Sequence, residues 1–226
     1  MQFPKPLIEG RPIRRYKRFL ADVELADGSM VTAHTPNTGS MMGCAEPGLR
    51  VWLSVSDNPK RKYPLSWELV ESSSGALVGI NTGLPTRLVT EGIDRGVITE
   101  LQGYTDLRPE VRYGEESSCI DLLLEEGDRR RYVEIKNVTL ANGEGVAQFP
   151  DAVTSRGTRH LRELMRVVAK EGARGVMVYC VQRSDVRAFS PPIPSILSMV
   201  RRYGRRSIKV WRRWLIVPMF HLRPFN

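Results

Sequence analysis

The chain has 226 residues, enough for one large domain or two small ones, and 41% of them are hydrophobic, too many for a disordered chain. Thirty-four Lys and Arg against 25 Asp and Glu give a formal charge of +9, which suits nucleic acid or another anionic surface as partner. No apolar run approaches the roughly 20 residues of a membrane helix. Residues 1–10 carry two prolines and lack the apolar stretch of a secretory signal, so a soluble cytoplasmic protein with no membrane partner is expected. Cys44, Cys119 and Cys180 form no C-x-x-C pair and have no His at zinc spacing, and they read as small buried hydrophobes in a reducing compartment.

The charge is unevenly placed. Residues 1–190 carry a net +1, whereas residues 191–226 hold eight Arg and Lys and no acid. Within the balanced body, residues 1–20 carry six basic groups against Glu9 alone. The nucleic-acid argument therefore rests on local clusters rather than on the total.

The first stretch reads as strands. Residues 14–20 lead into a run at 22–25, and Asp27-Gly28 marks a hairpin before a strand at 30–34. Further strands are expected at 49–56, 65–72 and 77–80, separated by Pro, Gly, Asn and Ser. Four or five short strands without a helical period predict a small barrel of the OB type, a fold that commonly holds single-stranded nucleic acid in a basic, aromatic-studded groove. On the first strand Arg15 and Lys17 would share one side, with Arg14, Tyr16 and Arg18 on the other. Lys60, Arg61 and Lys62, beside Tyr63, form a second cluster in a loop. Cations interleaved with tyrosine suit backbone contact plus stacking; the competing reading is a solvated strand face and loop.

After Asn81 the pattern changes. A short helix is expected at 86–95, stopped by Gly96, then strands at 110–113, 119–125, 131–140 and 146–149. Apolar residues at helical spacing predict a helix over 154–171, and 174–182 is a continuous apolar strand. Helix, strands, helix, strand is an α/β core around a central sheet, dividing the chain at 1–82 and 83–226.

The chemistry concentrates on one hairpin. Gly127 first in the two-residue turn Gly127-Asp128 suits type II′, which pairs 126 with 129 and sets Asp121 directly across from Glu134. One face then carries Asp121, Leu123, Tyr132, Glu134 and Lys136, and the other, with Ile120, Leu122, Leu124, Val133 and Ile135, faces the core. Two carboxylates roughly 4.5–5.5 Å apart at Cβ repel without a counter-charge. A divalent cation, Mg²⁺ or Mn²⁺, would supply it, since such ions are held by one or two carboxylates plus water and substrate phosphates. Lys136 on the same face can orient water or stabilise an anionic transition state. In the competing reading Lys136 merely neutralises Glu134 on a surface hairpin, and a one-residue slip would part the carboxylates.

Several runs resemble the sugar fermentation stimulation protein family. They are Arg14-Arg15-Tyr16-Lys17-Arg18-Phe19, Ala33-His34-Thr35-Pro36-Asn37-Thr38-Gly39-Ser40-Met41 and Asp57-Asn58-Pro59-Lys60-Arg61-Lys62-Tyr63-Pro64 in the first half. In the second half they are Ile120-Asp121, Tyr132-Val133-Glu134-Ile135-Lys136-Asn137-Val138-Thr139-Leu140 and Phe149-Pro150-Asp151-Ala152-Val153-Thr154, with Arg156-Gly157 and His160-Leu161. The resemblance implies an N-terminal OB-fold joined to a domain similar to PD-(D/E)XK nucleases, and DNA binding with little sequence preference. It implies Asp121, Glu134 and Lys136 as the catalytic acid, second acid and lysine, with a metal on Asp121 and Glu134 and Glu91 as a candidate further acid. Arg15, Lys17, Arg18, Lys60, Arg61, Lys62 and Arg156 are the candidate nucleic-acid contacts, Arg156 at a helix start that favours anions. The runner-up is a non-catalytic DNA-binding regulator of sugar-metabolism genes. Residues 191–226 depart from the family's acidic-and-alanine-rich continuation. A basic tail, a divergent final strand and helix, and a shifted reading frame compete there, the abrupt change in composition favouring the last.

Overall fold

In the computed structural model, which describes residues 1–116, 118–149, 155–171 and 173–190, strands come first. They are β1 (Ile8–Tyr16), β2 (Leu20–Leu25), β3 (Met30–His34), β4 (Val51–Val55), β5 (Leu65–Glu71) and β6 (Leu77–Gly79). Successive neighbours pair antiparallel, and a parallel pairing of β3 with β5 (Ala33 with Leu65, His34 with Ser66) closes β1, β2, β3, β5 and β4 into a five-stranded barrel. Strand β6 extends β5 outside the ring. Alternate residues point inward, so Ala21, Val23, Ala33, Val51, Leu53 and Trp67 fill the barrel. This is the expected OB architecture.

Two helices and the remaining strands follow: α1 (Pro85–Asp94), β7 (Asp106–Tyr113), β8 (Ser118–Glu126), β9 (Arg129–Val138), β10 (Leu140–Ala141), β11 (Val146–Gln148), α2 (Ser155–Glu171), β12 (Arg174–Val181) and β13 (Ala188–Ser190). The main sheet runs β12-β9-β8-β7, with β12 parallel to β9 and the others antiparallel. Helix α1, opened by Pro85, lays Leu88, Val89 and Ile93 on Leu122, Leu124, Val133 and Ile135. Helix α2 covers the other face, packing Leu164 and Val167 on Tyr113, Leu123 and Tyr132. Each buried aliphatic side chain contributes roughly 1.5–3 kcal/mol, so both faces of β8 and β9 are anchored.

Five sequence expectations are corrected. Strand β1 ends at Tyr16, and Lys17 and Arg18 form the turn to β2 with φ of 48° and 66°, so they do not alternate on a strand. Strand β7 begins at Asp106, well before 110, because it is the edge strand, where Pro109 has no ladder bond to break. Ile120 packs with Leu123 and Tyr132 under α2, so the strand does not keep it with Leu122. Strand β11 belongs to a separate small sheet with β10 and β13. Cys44 and Cys180 are buried, but Cys119, near the start of β8, is exposed.

No helix among the described residues is long and apolar enough to cross a membrane. Asp151, Thr154, the 191–226 segment with its arginine pairs, and the side chain of Arg156 lie outside the described residues.

Candidate active site

The β8–β9 hairpin turns as expected. Gly127 takes φ of 53°, the value a type II′ turn needs at its first central residue, and the pairs run from Glu126 with Arg129 to Leu122 with Val133. The main-chain ladder ends at Leu122 and Val133, and Asp121 and Glu134 follow just beyond it, close enough for Glu134 to act on the Asp121 carboxyl. The Ile135 N–H donates instead to Asp121 Oδ2 at 2.6 Å. The carboxylate thus takes a strand amide that the neighbouring strand leaves unpaired, which fixes its orientation.

Glu134 is buried, and its Oε1 accepts from Lys136 Nζ. His160 Nδ1, on α2, lies 3.8 Å from the same oxygen. Tyr113, at the end of β7, donates its hydroxyl to the His160 carbonyl at 3.1 Å. Burial pushes the Asp121 carboxyl up to about 6; the Ile135 amide opposes this, Glu134 adds to it and Lys136 offsets it. Burial likewise raises the Tyr113 phenol, with Glu134, Glu163 and Asp121 acting in the same direction. The site is therefore a short-range collection of carboxylates with a lysine, a histidine and a protonated phenol, covered by a helix.

Glu163, one turn along α2 from His160, sets the approach to β8. Its side chain is 1% exposed, and it accepts the Glu116 N–H in the loop before that strand. Burial raises its pKa, but the Ser118 hydroxyl and the N–H groups of Glu116, Glu115 and Ser118 bring it below the usual carboxylate value. From the loop side, Glu116 accepts from Arg162 at 3.2 Å and Arg166 at 3.1 Å. Two reciprocal grips hold the segment that delivers Asp121. Sequence reasoning does not reach Tyr113 and Glu163 as site residues, because contacts across 47 positions leave no local pattern, and His160 stands there only as part of a family-like run at the helix start.

Asp121, Glu134 and Lys136 come together as expected, but Glu91 does not join them. It sits on α1, over the opposite face of the sheet, paired with the Met1 amino group at 2.8 Å and with Arg95 at 2.7 Å. Among the described residues no group of three His, Cys, Asp or Glu forms around a common point. Two carboxylates on neighbouring strands, one with its pKa raised by burial and by the other, are nevertheless an all-oxygen donor set suited to Mg²⁺ or Mn²⁺. Such an ion would complete its shell with water, main chain or phosphate.

The two basic clusters of the barrel meet at one end of it. Arg15 donates to the carbonyls of Arg18 (2.6 Å) and Asn37 (2.8 Å), and Arg18 donates to Thr38 O at 3.2 Å. Arg61 donates to Ser66 at 3.1 Å, and Ser66 pairs with His34, whose ring lies 6.4 Å from that of Phe19. Lys62 sits 5.5 Å from the Tyr63 ring, and the Lys60 N–H goes to Asn58 Oδ1. Arg15 is thus chiefly a clamp between two turns, whereas Lys17, Arg18, Lys60 and Lys62 are exposed. Asn37 caps its own turn through Gly39 N–H, and Pro36 O accepts from Thr82 at 3.0 Å, so this turn also reaches the linker to α1.

Residues 13–80 match a family model described as the SfsA N-terminal OB domain, and residues 83–196 match the sugar fermentation stimulation protein RE domain. The chain is 62% identical over 191 residues to the sugar fermentation stimulation protein homolog of Thioalkalivibrio sulfidiphilus, covering 84% of this chain and 80% of that one. It is equally identical, over the same length, to the homolog of Geobacter metallireducens, with 84% and 81% covered. Among solved structures it is similar to Pyrococcus furiosus SfsA in complex with Ca²⁺, with a TM-score of 0.77 and 27% identity over 90% of this chain and 87% of that one. The chain belongs to the sugar fermentation stimulation protein family.

Proposed function

We propose that the chain is a DNA-binding phosphodiesterase that depends on a divalent cation, Mg²⁺ or Mn²⁺, held by Asp121 and Glu134. The observation that carries this reading is the place where the β8–β9 ladder ends, with two carboxylates side by side and Lys136 on one of them. The complex of the Pyrococcus furiosus relative with Ca²⁺, itself a divalent cation, supports it. When bound, such an ion activates water and neutralises phosphoryl oxygens. Asp121 is held for this by the Ile135 amide, and Lys136 places a cation where phosphate gathers negative charge. Helix α2 excludes water from Glu134 through His160. Lys17, Arg18, Lys60, Arg61 and Lys62 hold the DNA backbone, while Arg15 braces the turn that presents two of them.

A DNA-binding regulator without turnover is the second reading, favoured by the Lys136 ammonium already on Glu134. Cleavage of single- and double-stranded DNA and RNA with Mg²⁺ or Mn²⁺ separates the two. The phosphodiesterase reading expects metal-dependent products, reduced at least about 100-fold in Asp121→Ala and in Lys136→Ala. Binding without cleavage on every substrate would favour the regulator, and cleavage unchanged by Asp121→Ala would remove the assigned site.

A further inference from the structure

The β1–β2 turn has an unusual build. Lys17 and Arg18 are consecutive non-glycine residues at positive φ, a conformation that side chains disfavour and that surrounding contacts must hold. The contacts are present: Arg15 on the Arg18 carbonyl, Arg18 on the Thr38 carbonyl, and the Thr35 N–H on the Phe19 carbonyl at 2.7 Å. The consequence is that Phe19 is turned outward. Its side chain is 42% exposed although the neighbouring Leu20 and Ala21 are buried in the barrel.

The surroundings of Phe19 are not those of a stray surface hydrophobe. The His34 ring lies 6.4 Å from it at 45°, and Arg61 stands close enough to His34 to lower its pKa, after burial itself. Lys17 and Arg18 precede the ring directly in the turn. An exposed aromatic ring with Lys17 and Arg18 next to it in the turn and Arg61 beyond His34 fits an unpaired base between phosphates; a duplex, whose bases are stacked on each other, offers no ring to it. From the charge complementarity of this rim and the outward ring, we propose that Phe19 is a base-stacking platform and that the barrel end selects single-stranded nucleic acid. This rests on the nucleic-acid reading of the barrel and specifies its substrate class.

The test is equilibrium binding by fluorescence anisotropy, using labelled oligothymidine, the same length carrying abasic sites, and a mixed-sequence duplex. Wild type, Phe19→Ala, Phe19→Trp and a Lys17→Ala/Arg18→Ala double variant are compared across a salt series. Phe19→Ala is expected to weaken oligothymidine binding at least about fivefold. Its salt slope should not change, and the loss should vanish on the abasic strand. Phe19→Trp should restore binding, whereas the double variant should flatten the salt slope. Equal binding of oligothymidine by wild type and Phe19→Ala, or equal losses on intact and abasic strands, would overturn the stacking role. Failure of wild type to bind any of the three would overturn the nucleic-acid reading itself, a separate outcome.

Discussion

Asp121 has an ordinary pKa of 3.8 and is raised to about 6 in the fold, chiefly by burial. In metal-free protein the folded state therefore keeps this proton to higher pH than the unfolded chain does. The associated stability is fully present below about pH 3.8 and is lost as pH rises through 6. Asp121→Asn stays neutral at every pH and still offers an oxygen to the Ile135 N–H. In EDTA it should exceed wild type by about 1–2 kcal/mol at pH 8, after discounting the shift for partial exposure, and come level with it by about pH 3. Thermal unfolding at the two pH values measures this, a gain of a few degrees being expected at pH 8. Saturating Mg²⁺ should narrow the gap by stabilising the folded wild type alone. A difference between variant and wild type that ignores pH would mean that Asp121 is not held in its buried, amide-bonded position.

At the scale of elements, the loop between β7 and β8 is where packing sets the chemistry. Gly114 has φ of 71°, and a Cβ there would run into the Glu163 side chain. Gly114→Ala meets both the conformational cost and the clash, and should destabilise the protein by about 2 kcal/mol or more. Glu163→Ala leaves the Glu116 N–H without its acceptor and should cost a similar about 2–3 kcal/mol, while Glu163→Gln keeps an acceptor and recovers much of it. Urea midpoints order these three variants; equal losses for Ala and Gln at 163 would show that the oxygen is not the grip. This loop also marks where the sequence ceases to be readable. The hairpin register follows from one glycine, because a II′ turn is a local constraint and β pairing propagates it. The closeness of Asp121 and Glu134 is therefore legible, although the main-chain pairing itself stops at Leu122 and Val133. Glu163 is not legible, since an acid on an amphipathic helix looks solvated until the loop it grips is folded against it. The Lys17–Arg18 turn escaped for a related reason: its positive φ values are held by carbonyls near residue 38, outside any local window.

The whole molecule is joined along one edge. Strand β6 of the barrel bonds to the chain leaving β12: Gly79 N–H to Gln182 O at 2.8 Å, and Ser184 N–H to Leu77 O at 3.1 Å, around a bridge between Val78 and Arg183. Gln182 donates to Asn137 Oδ1 at 2.7 Å, so the junction reaches the strand that bears Glu134 and Lys136, one residue beyond the lysine. Arg183 is buried, with Nη1 on the Thr139 carbonyl at 2.7 Å and a two-pronged contact to Asp185 at 2.9 and 2.7 Å. The Arg183 side chain braces the end of β9 beside the main-chain bridge to Val78, and its removal takes a donor from the Thr139 carbonyl and two from the Asp185 carboxylate. Wild type should then unfold in a single calorimetric transition in which barrel and α/β domain melt together. Arg183→Ala should cost about 1–3 kcal/mol and split that transition in two, the barrel keeping its own core of Trp67, Leu53 and Val23. Arg183→Lys, which replaces the planar fork with a point charge, should fall between them. If the α/β domain alone carries the metal site, Arg183→Ala will still bind Mg²⁺ at Asp121 and Glu134 below the lower transition. Its grip on long DNA will weaken relative to short oligonucleotides, because the basic barrel end and the carboxylate pair no longer keep a fixed separation. A single unsplit transition in Arg183→Ala would mean that the strand bonds of β6 suffice to couple the domains.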